Sequence, residues 1–454
     1  MKTTKLFFMA ALALMTAACS NDDNDFAQQP QKAEGITITA QLAPKTNGAT
    51  TRAVSEGTNK IVSEWAENEH IAVLYEVSST KYVADATITA VDGSGAATIT
   101  FTVEAGTPNN TACTLVYPLS AAKDDHSGVK DAATLLAAQD GTLNANLDVR
   151  VGEGTIQTTT PGLTVSTQPE AQFAIFKFTV KNSDASATID VKPLTVTIGA
   201  QDYVITPASA TSELFAALPA IASQAVTFTA TGSDGKIYTA SKPSVSFDAG
   251  KYYQSPLKMT AAGLADVISR YLRMVIGADG FIYATAAAAT AAGTTAVAKI
   301  VYVGSDNGES APYNHGLALA LSDANGGSYL EWSTSSTKVH TYNPTSSSFE
   351  SESGLQYNAT HNSDTYPAFK AAIANNGTAA PTGCSAWFLA SGYQWQKMAG
   401  AVGGYINLGL TLYRVYWSST EYSANVAWYF DYPDGNWYND SKGYGNRVRA
   451  CLAF

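Results

Sequence analysis

Two cysteines and two arginines near the end of this 454-residue chain are the residues best placed for reactivity. Cys384 and Cys451 lie in one C-terminal stretch, with Arg447 and Arg449 just ahead of Cys451. A reactive thiol needs access to substrate and a cationic neighbour that favours the thiolate. Val448, Ala450, Leu452 and Phe454 alternate around Cys451, however, which is the pattern of a sheet-bound strand and points to a core or cross-linking role. In an oxidising compartment the pair is either a disulfide, worth about 4 kcal/mol for a loop of this length, or two separate buried thiols. Cys113 sits in the apolar run Cys113-Thr-Leu-Val-Tyr117 and reads as a buried, unreactive thiol. His70, His126, His315, His340 and His361 are scattered without metal-ligand spacing, and no CxxC, GxSxG, HExxH, phosphate loop or dinucleotide fingerprint occurs. The expectation is a protein that is not an enzyme and needs no cofactor.

Binding chemistry is concentrated from Tyr429 to Asn446, which reads Tyr-Phe-Asp-Tyr-Pro-Asp-Gly-Asn-Trp-Tyr-Asn-Asp-Ser-Lys-Gly-Tyr-Gly-Asn. Tyrosine and tryptophan supply large contact area at low entropic cost, while Asn, Asp and Ser adapt their hydrogen bonds, as in an antibody paratope. The sequence therefore places Tyr429, Asp431, Asp434, Asn436, Trp437, Tyr438, Asn439, Asp440 and Tyr444 on a recognition face, and Trp417, Trp428, Val448, Ala450, Leu452 and Phe454 in the core beneath it. The competing reading is a plain hairpin about Pro433-Asp434-Gly435 whose aromatics, Phe430 among them, are core. Asp431, Asp434 and Asp440 could supply oxygen ligands to calcium, but acidic turn residues ordinarily face water, so no obligatory metal is expected.

The elements that must position this face change character along the chain. From Gly35 to about Thr260, short runs of Thr, Ala, Val and Ser alternate with period two, as in Ala86–Ala90 and Ala97–Val103 around Asp92-Gly-Ser-Gly95. Phe173–Val180, Leu194–Ile198 and Ala225–Ala230 repeat the pattern, which predicts two successive β-sandwich domains with a boundary near residue 155. After Arg270 strands are interspersed with two expected helices. One spans about Tyr366 to Asn376, and the other follows Ser391, with Gln394 completing a capping box, and stops near Gly403-Gly404. That mixture predicts an α+β domain.

The chain opens as a secretory leader. Lys2 and Lys5 precede the apolar stretch Leu6–Met15, and Thr16-Ala17-Ala18 puts small side chains before Cys19. Lipidation of Cys19 is the favoured reading, although Thr16 stands where a lipoprotein signal carries an aliphatic residue, and ordinary signal cleavage is the alternative. A charged fraction of 14% and a net charge of -11 exclude a nucleic-acid partner and any basic patch for anionic lipid, leaving a lipid on Cys19 as the expected membrane attachment. The run Ser20-Asn-Asp-Asp-Asn-Asp25 resembles the signal that takes lipoproteins of gut anaerobes to the outer face of the outer membrane.

Two resemblances organise these features. The leader, Gly35-Ile-Thr-Ile-Thr-Ala-Gln-Leu42, Thr51-Arg52, Trp65-Ala-Glu-Asn-Glu-His-Ile-Ala-Val73 and Asp248-Ala-Gly-Lys-Tyr-Tyr253 with Leu257-Lys-Met259 resemble the fimbrillins, subunits of type V pili. Glu69-His70 departs from the Gly-Asp of many relatives. That resemblance implies cleavage after Arg52, departure of the first strand and its replacement by a strand from another pilus subunit; the alternative for Arg52 is an exposed loop arginine. Trp387-Phe-Leu-Ala-Ser391, Trp395, Tyr416-Trp-Ser-Ser-Thr-Glu421, Ala427-Trp428, Gly435 and Arg447–Phe454 resemble C-type-lectin-like domains at the ends of bacterial surface proteins, including those diversified by retroelements. Formylglycine-generating enzymes share that broad fold, yet the alternation around Cys451 favours a structural thiol. Together the resemblances imply a mainly β protein: two transthyretin-like β-sandwich domains followed by an α+β C-type-lectin-like domain. The expected division is a signal peptide over 1–18, a lipid-tethered segment with the first strand over 19–52, sandwiches over 53–155 and 156–262, and a binding domain over 263–454. The implied function is a surface adhesin, at a pilus tip or as a freestanding lipoprotein, that binds a protein or glycan ligand.

Overall fold

The structure is a computed structural model and describes residues 35–45, 55–57, 60–340, 344 and 347–454. The leader with Cys19 and the candidate cleavage residue Arg52 lie outside the described residues. The chain is mainly β, as the alternating runs predict, and builds three units.

In the first unit the strands β1 (Ile36–Leu42), β2 (His70–Val77), β3 (Thr80–Val91), β4 (Ala97–Val103), β5 (Thr111–Tyr117), β6 (Arg150–Gln157) and β7 (Gly162–Ala171) form a sheet in the order β1-β4-β3-β2-β5-β6-β7. The expected hairpin joins β3 to β4: Asp92 Oδ1 accepts the N–H groups of Ser94 (2.8 Å) and Ala96 (3.0 Å), and Gly95 takes the left-handed φ of +85° that closes the turn. Irregularities in the β3–β4 and β6–β7 registers fold the sheet over, so that β7 comes against β1. Ile38, Leu42, Ile71, Ile99, Phe101 and Leu115 fill the interior. Because β6 and β7 belong to this sheet, the unit runs to Ala171 and the boundary expected near residue 155 is corrected. The alternation of β6 continues into the next strands with no compositional break to mark the end.

The second unit comprises β8 (Phe173–Asn182), β9 (Val191–Ile198), β10 (Gln201–Ile205), β11 (Glu213–Pro219), β12 (Ile221–Gly232), β13 (Ile237–Phe247) and β14 (Tyr252–Ala261), ordered β10-β9-β12-β13-β14-β8-β11. Only Tyr238↔Ala261 and Thr239↔Thr260 join β13 to β14, so the sheet parts there into the two layers of a sandwich. Its core of Phe176, Phe178, Leu194, Leu214 and Phe228 is continuous with Ala72, Leu74 and Val116 of the first unit.

The third unit is α+β. Its main sheet orders β15 (Val275–Gly277), β16 (Ile282–Tyr283), β17 (Ala296–Val303), β18 (Gly316–Ala320), β19 (Phe388–Leu389) and β23 (Ala450–Ala453) as β16-β15-β17-β18-β23-β19. A separate three-stranded sheet holds β20 (Arg414–Ser423), β21 (Val426–Tyr432) and β22 (Trp437–Ser441). Beside the short helix Ala286–Ala291, its longer helices are α1 (Gly354–Thr360), α2 (Pro367–Ala374) and α3 (Gly392–Ala401). The capping box at α3 is present in both directions: Gln394 N–H donates to Ser391 Oγ at 3.2 Å, and Ser391 N–H to Gln394 Oε1 at 3.0 Å. Helix α2 ends at Asn375 in the left-handed conformation, two residues before Gly377. Strand β23 lies between β18 and β19 and is buried on both faces, with Ala450 and Leu452 packed into one core layer with Phe369 and Cys451 and Ala453 into another with Trp395.

Candidate functional site

The sheet β20-β21-β22 carries the predicted face, and its register explains which side chains reach solvent. Tyr416 pairs with Phe430 and Trp417 with Tyr429, while Phe430 pairs with Trp437 and Tyr429 with Tyr438. Since successive residues point to opposite sides of a strand, one side of the sheet collects Tyr416, Phe430, Tyr432 and Trp437 against Trp395 and Tyr405. The other side carries Trp417, Tyr429 and Tyr438. Trp417 is fully buried, and its indole N–H donates to Leu330 O at 2.8 Å. Tyr429 meets it edge-on with ring centroids 5.8 Å apart, and Tyr438 covers Tyr429 in turn. Trp428, Phe430, Val448, Ala450, Leu452 and Phe454 are all buried, as expected from their spacing.

Tyr438 is 46% and Tyr444 61% exposed, and Asp434, Asn436 and Asn439 are also exposed; Tyr429, Asp431 and Asp440 are half-buried around them. The Tyr429 hydroxyl is held above its usual range, first by burial and then by the nearby carboxylate of Asp440, with Tyr438 and Asp431 adding to it. The face therefore combines a tilted pair of tyrosine rings with a carboxylate on either flank. Trp437 does not belong to it. Its ring packs edge-on to Phe349 (4.7 Å) and against Phe430 (5.3 Å), and its N–H donates to the Tyr405 hydroxyl at 2.8 Å, so it supports the hairpin from within.

The hairpin turn is fixed by Asp431, whose Oδ1 accepts Asn436 N–H at 2.7 Å while its own carbonyl accepts Gly435 N–H at 2.8 Å. Gly435 has φ +77°, and a Cβ there would stand 2.1 Å from the Tyr405 ring, so glycine is required on both counts. With its carboxylate engaged in this turn, Asp431 is a poor metal ligand. Among the described residues no three His, Cys, Asp or Glu side chains converge on a possible metal position.

Other apolar residues are exposed on this unit outside the face read from the sequence. Tyr329 is 52% exposed beside Gly445, with the Arg447 guanidinium 5.7 Å from its ring centroid. Ile406, Leu412 and Tyr413 are exposed near the hairpin end of the sheet, where Tyr432, paired with Arg414, donates its hydroxyl to Ile406 O at 2.9 Å. The only sequence signal for them was their position beside glycines or a strand start.

The thiol expectations resolve differently. Cys384 and Cys451 are free, which corrects the disulfide alternative. Cys451 faces the core layer of Trp395 and Phe430, whereas Cys384 packs against the opposite layer with Phe369, so the sheet itself separates them. Burial pushes the Cys384 thiol up to about 12 and raises Cys451 well above its ordinary value. Arg447 and Arg449 do not activate Cys451; both bind Asp323, at 2.7 and 2.6 Å, in a buried cluster joined by the Tyr416 hydroxyl (3.1 Å). Cys113 is buried, also free, and pushed up to about 12 by burial.

No protein-family model matches the chain, and no curated protein matches it. Among solved structures it is similar to a fimbrial protein from Bacteroides ovatus, at 12% identity over 93% of this chain and 99% of that one, with a TM-score of 0.29. A fimbrial assembly protein from Parabacteroides distasonis is similar at 13% identity over 49% of this chain and 92% of that one, with a TM-score of 0.29. A minor pilin of Streptococcus agalactiae is similar at 9% identity over 51% of this chain and 99% of that one, with a TM-score of 0.23.

Proposed function

We propose that the chain is a cell-surface adhesin that caps a type V pilus, accepting a strand from a neighbouring subunit through its first unit and binding a protein or glycan ligand through a C-type-lectin-like third unit. The observation that carries the proposal is the placement of β1. Among the described strands it lies at one edge of its sheet, paired only with β4 from Ile36↔Val103 to Leu42↔Ala97 and merely packed against β7, and turns Ile38, Ala40 and Leu42 into the core. Cleavage after Arg52 would free this strand, leaving unpaired β4 backbone groups and an apolar groove that a partner's strand satisfies by β-augmentation. In the third unit β23 is held between β18 and β19, so this strand is itself not free for donation.

In this reading a lipid on Cys19 tethers the precursor at the outer membrane until cleavage releases it for assembly. The ligand face is Tyr429, Asp431, Asp434, Asn436, Tyr438, Asn439, Asp440 and Tyr444, extended by Tyr329. An Arg52→Ala protein is expected to remain at the cell envelope and be absent from filaments, with immunogold label on wild-type cells at filament ends. Wild-type incorporation of Arg52→Ala, or label spread along filaments, overturns the proposal. Screening the full chain on glycan and protein arrays, with Tyr438→Ala as control, identifies the ligand.

A further inference from the structure

The first unit buries a cation that the sequence leaves unexplained. Lys45 follows β1 by three residues, and its side chain is 2% exposed. Its ammonium lies 3.2 Å from Asp148 Oδ2 and 3.9 Å from Glu69 Oε2. It also sits over two aromatic rings, 3.8 Å from the Tyr117 centroid and 4.3 Å from that of Trp65. The rings meet edge-on at 5.3 Å. Together these groups make a closed cage of two carboxylates and two π-faces, the surroundings that favour an ammonium or guanidinium out of water.

The carboxylates of the cage are held by the body of the unit, whereas the Trp65 indole is anchored on the segment that carries Lys45. Asp148 accepts from the Ser63 hydroxyl and from Arg150 Nε (2.8 Å). Glu69 accepts the Tyr117 hydroxyl at 2.7 Å and Ala66 N–H at 3.0 Å, and Trp65 Nε1 donates to Ala43 O at 2.9 Å. Every wall residue lies after Arg52 in the chain, whereas the guest, Lys45, lies before it. With Lys45 in place the two carboxylates, Arg150 and Lys45 balance in charge. Once Lys45 leaves, a net negative charge remains in a site walled by aromatic rings, and an uncompensated buried carboxylate is strongly unfavourable. Loss of the first strand therefore vacates a position that only a cation refills well.

We propose that the Trp65–Glu69–Tyr117–Asp148 cage is a cation-recognition site of the acceptor groove, refilled on assembly by a lysine or arginine that the partner subunit's strand carries at the end beside Ala97. This rests on the strand-exchange reading above. The cage makes acceptance selective: an apolar strand without a basic residue at that end fills the groove but leaves one carboxylate charge without a counter-charge, since Arg150 balances only the other. It also holds the precursor closed, since Lys45 must lose two carboxylates and two rings before β1 can depart.

The test uses the full chain cut after Arg52 by limited trypsin and mixed with fluorescent synthetic peptides of residues 35–45, either native or with Lys45→Met. The native peptide is expected to bind at least about tenfold more tightly than the Lys45→Met peptide. Asp148→Asn protein, or Glu69→Gln should the former not fold, is expected to bind both with similar affinity. Equal binding of the two peptides by the wild-type protein overturns the cage while leaving strand exchange standing. Failure of both peptides to bind the cut protein overturns strand exchange and the cage with it.

Discussion

Tyr429 and Tyr438 face each other across β21 and β22 with ring centroids 5.8 Å apart and planes inclined at 30°, while the next pair, Phe430 and Trp437, turns to the opposite side of the same two strands. Two adjacent aromatics of β22 thus do different work. Truncating Trp437→Ala is expected to destabilise the third unit by about 2–3 kcal/mol, because its partly buried ring leaves a void against Phe349 and Phe430. Tyr438→Ala should cost less than about 1 kcal/mol and instead remove ligand binding. Chemical denaturation followed by tryptophan fluorescence reads the difference, and equal losses at the two positions would refute this assignment.

Lys442 and Glu421 form an ion pair in which both side chains are almost wholly buried. The ammonium also donates to Thr337 O at 3.1 Å and lies 4.6 Å from the Trp332 ring centroid, while Glu421 accepts the backbone N–H groups of Val339 and His340. Lys442→Met strands that carboxylate without a counter-charge and should cost about 3–5 kcal/mol, read by equilibrium denaturation. A loss below about 1 kcal/mol would show that water reaches the pair.

The third unit should show two opposed proton linkages. Burial, then the charges of His361 and Lys442, lowers His340 from 6.5 to about 3, so the unfolded chain binds a proton that the folded chain refuses and stability rises with pH between those values. Burial lifts Glu352 from 4.5 to about 7, so the folded chain keeps a proton that the unfolded chain has lost. Its contribution is complete below 4.5 and disappears as pH climbs to about 7. Between 4.5 and 6.5 the two slopes, each of about 1.4 kcal/mol per pH unit, oppose one another. Glu352→Gln should therefore leave stability rising with pH in that window, and His340→Phe should leave it falling. Denaturation midpoints at about pH 5 and 6 check both signs.

All three described thiols should be titratable in the denatured, unreduced protein and none in the native protein at neutral pH. Cys113 and Cys451 are buried and Cys384 is half-buried, and burial raises each pKa. Counting thiols with a chromogenic disulfide under both conditions checks this. A single reactive thiol in the denatured state would restore the Cys384–Cys451 bond.

Much of the architecture was legible because it rests on local rules. Period-two runs located the β3–β4 hairpin, Ser391 and Gln394 announced α3, and the alternation from Val448 to Phe454 marked a core strand. Less legible was whatever depends on a second surface. The turn-rich composition of the segment puts Trp437 on the face, whereas its pairing with Phe430 sends it inward. Helix α1 starts at a glycine and contains the buried Asn358, which bonds Leu389 O, so its only local mark is the Ser353 cap. Lys45 gave no signal at all, since Trp65, Tyr117 and Asp148 converge on it from distant parts of the chain.

The alternation along the β21–β22 hairpin also divides its positions by the kind of change they tolerate. Gly435 and Trp437 are answerable to Tyr405, and a codon change at either would be purged for reasons of folding. The side chains of Asn436 and Asn439 face solvent, and Tyr438 is held only by its contact with Tyr429. Change at the solvent positions therefore leaves the packing beneath them in place, so this surface can be rewritten without a new fold.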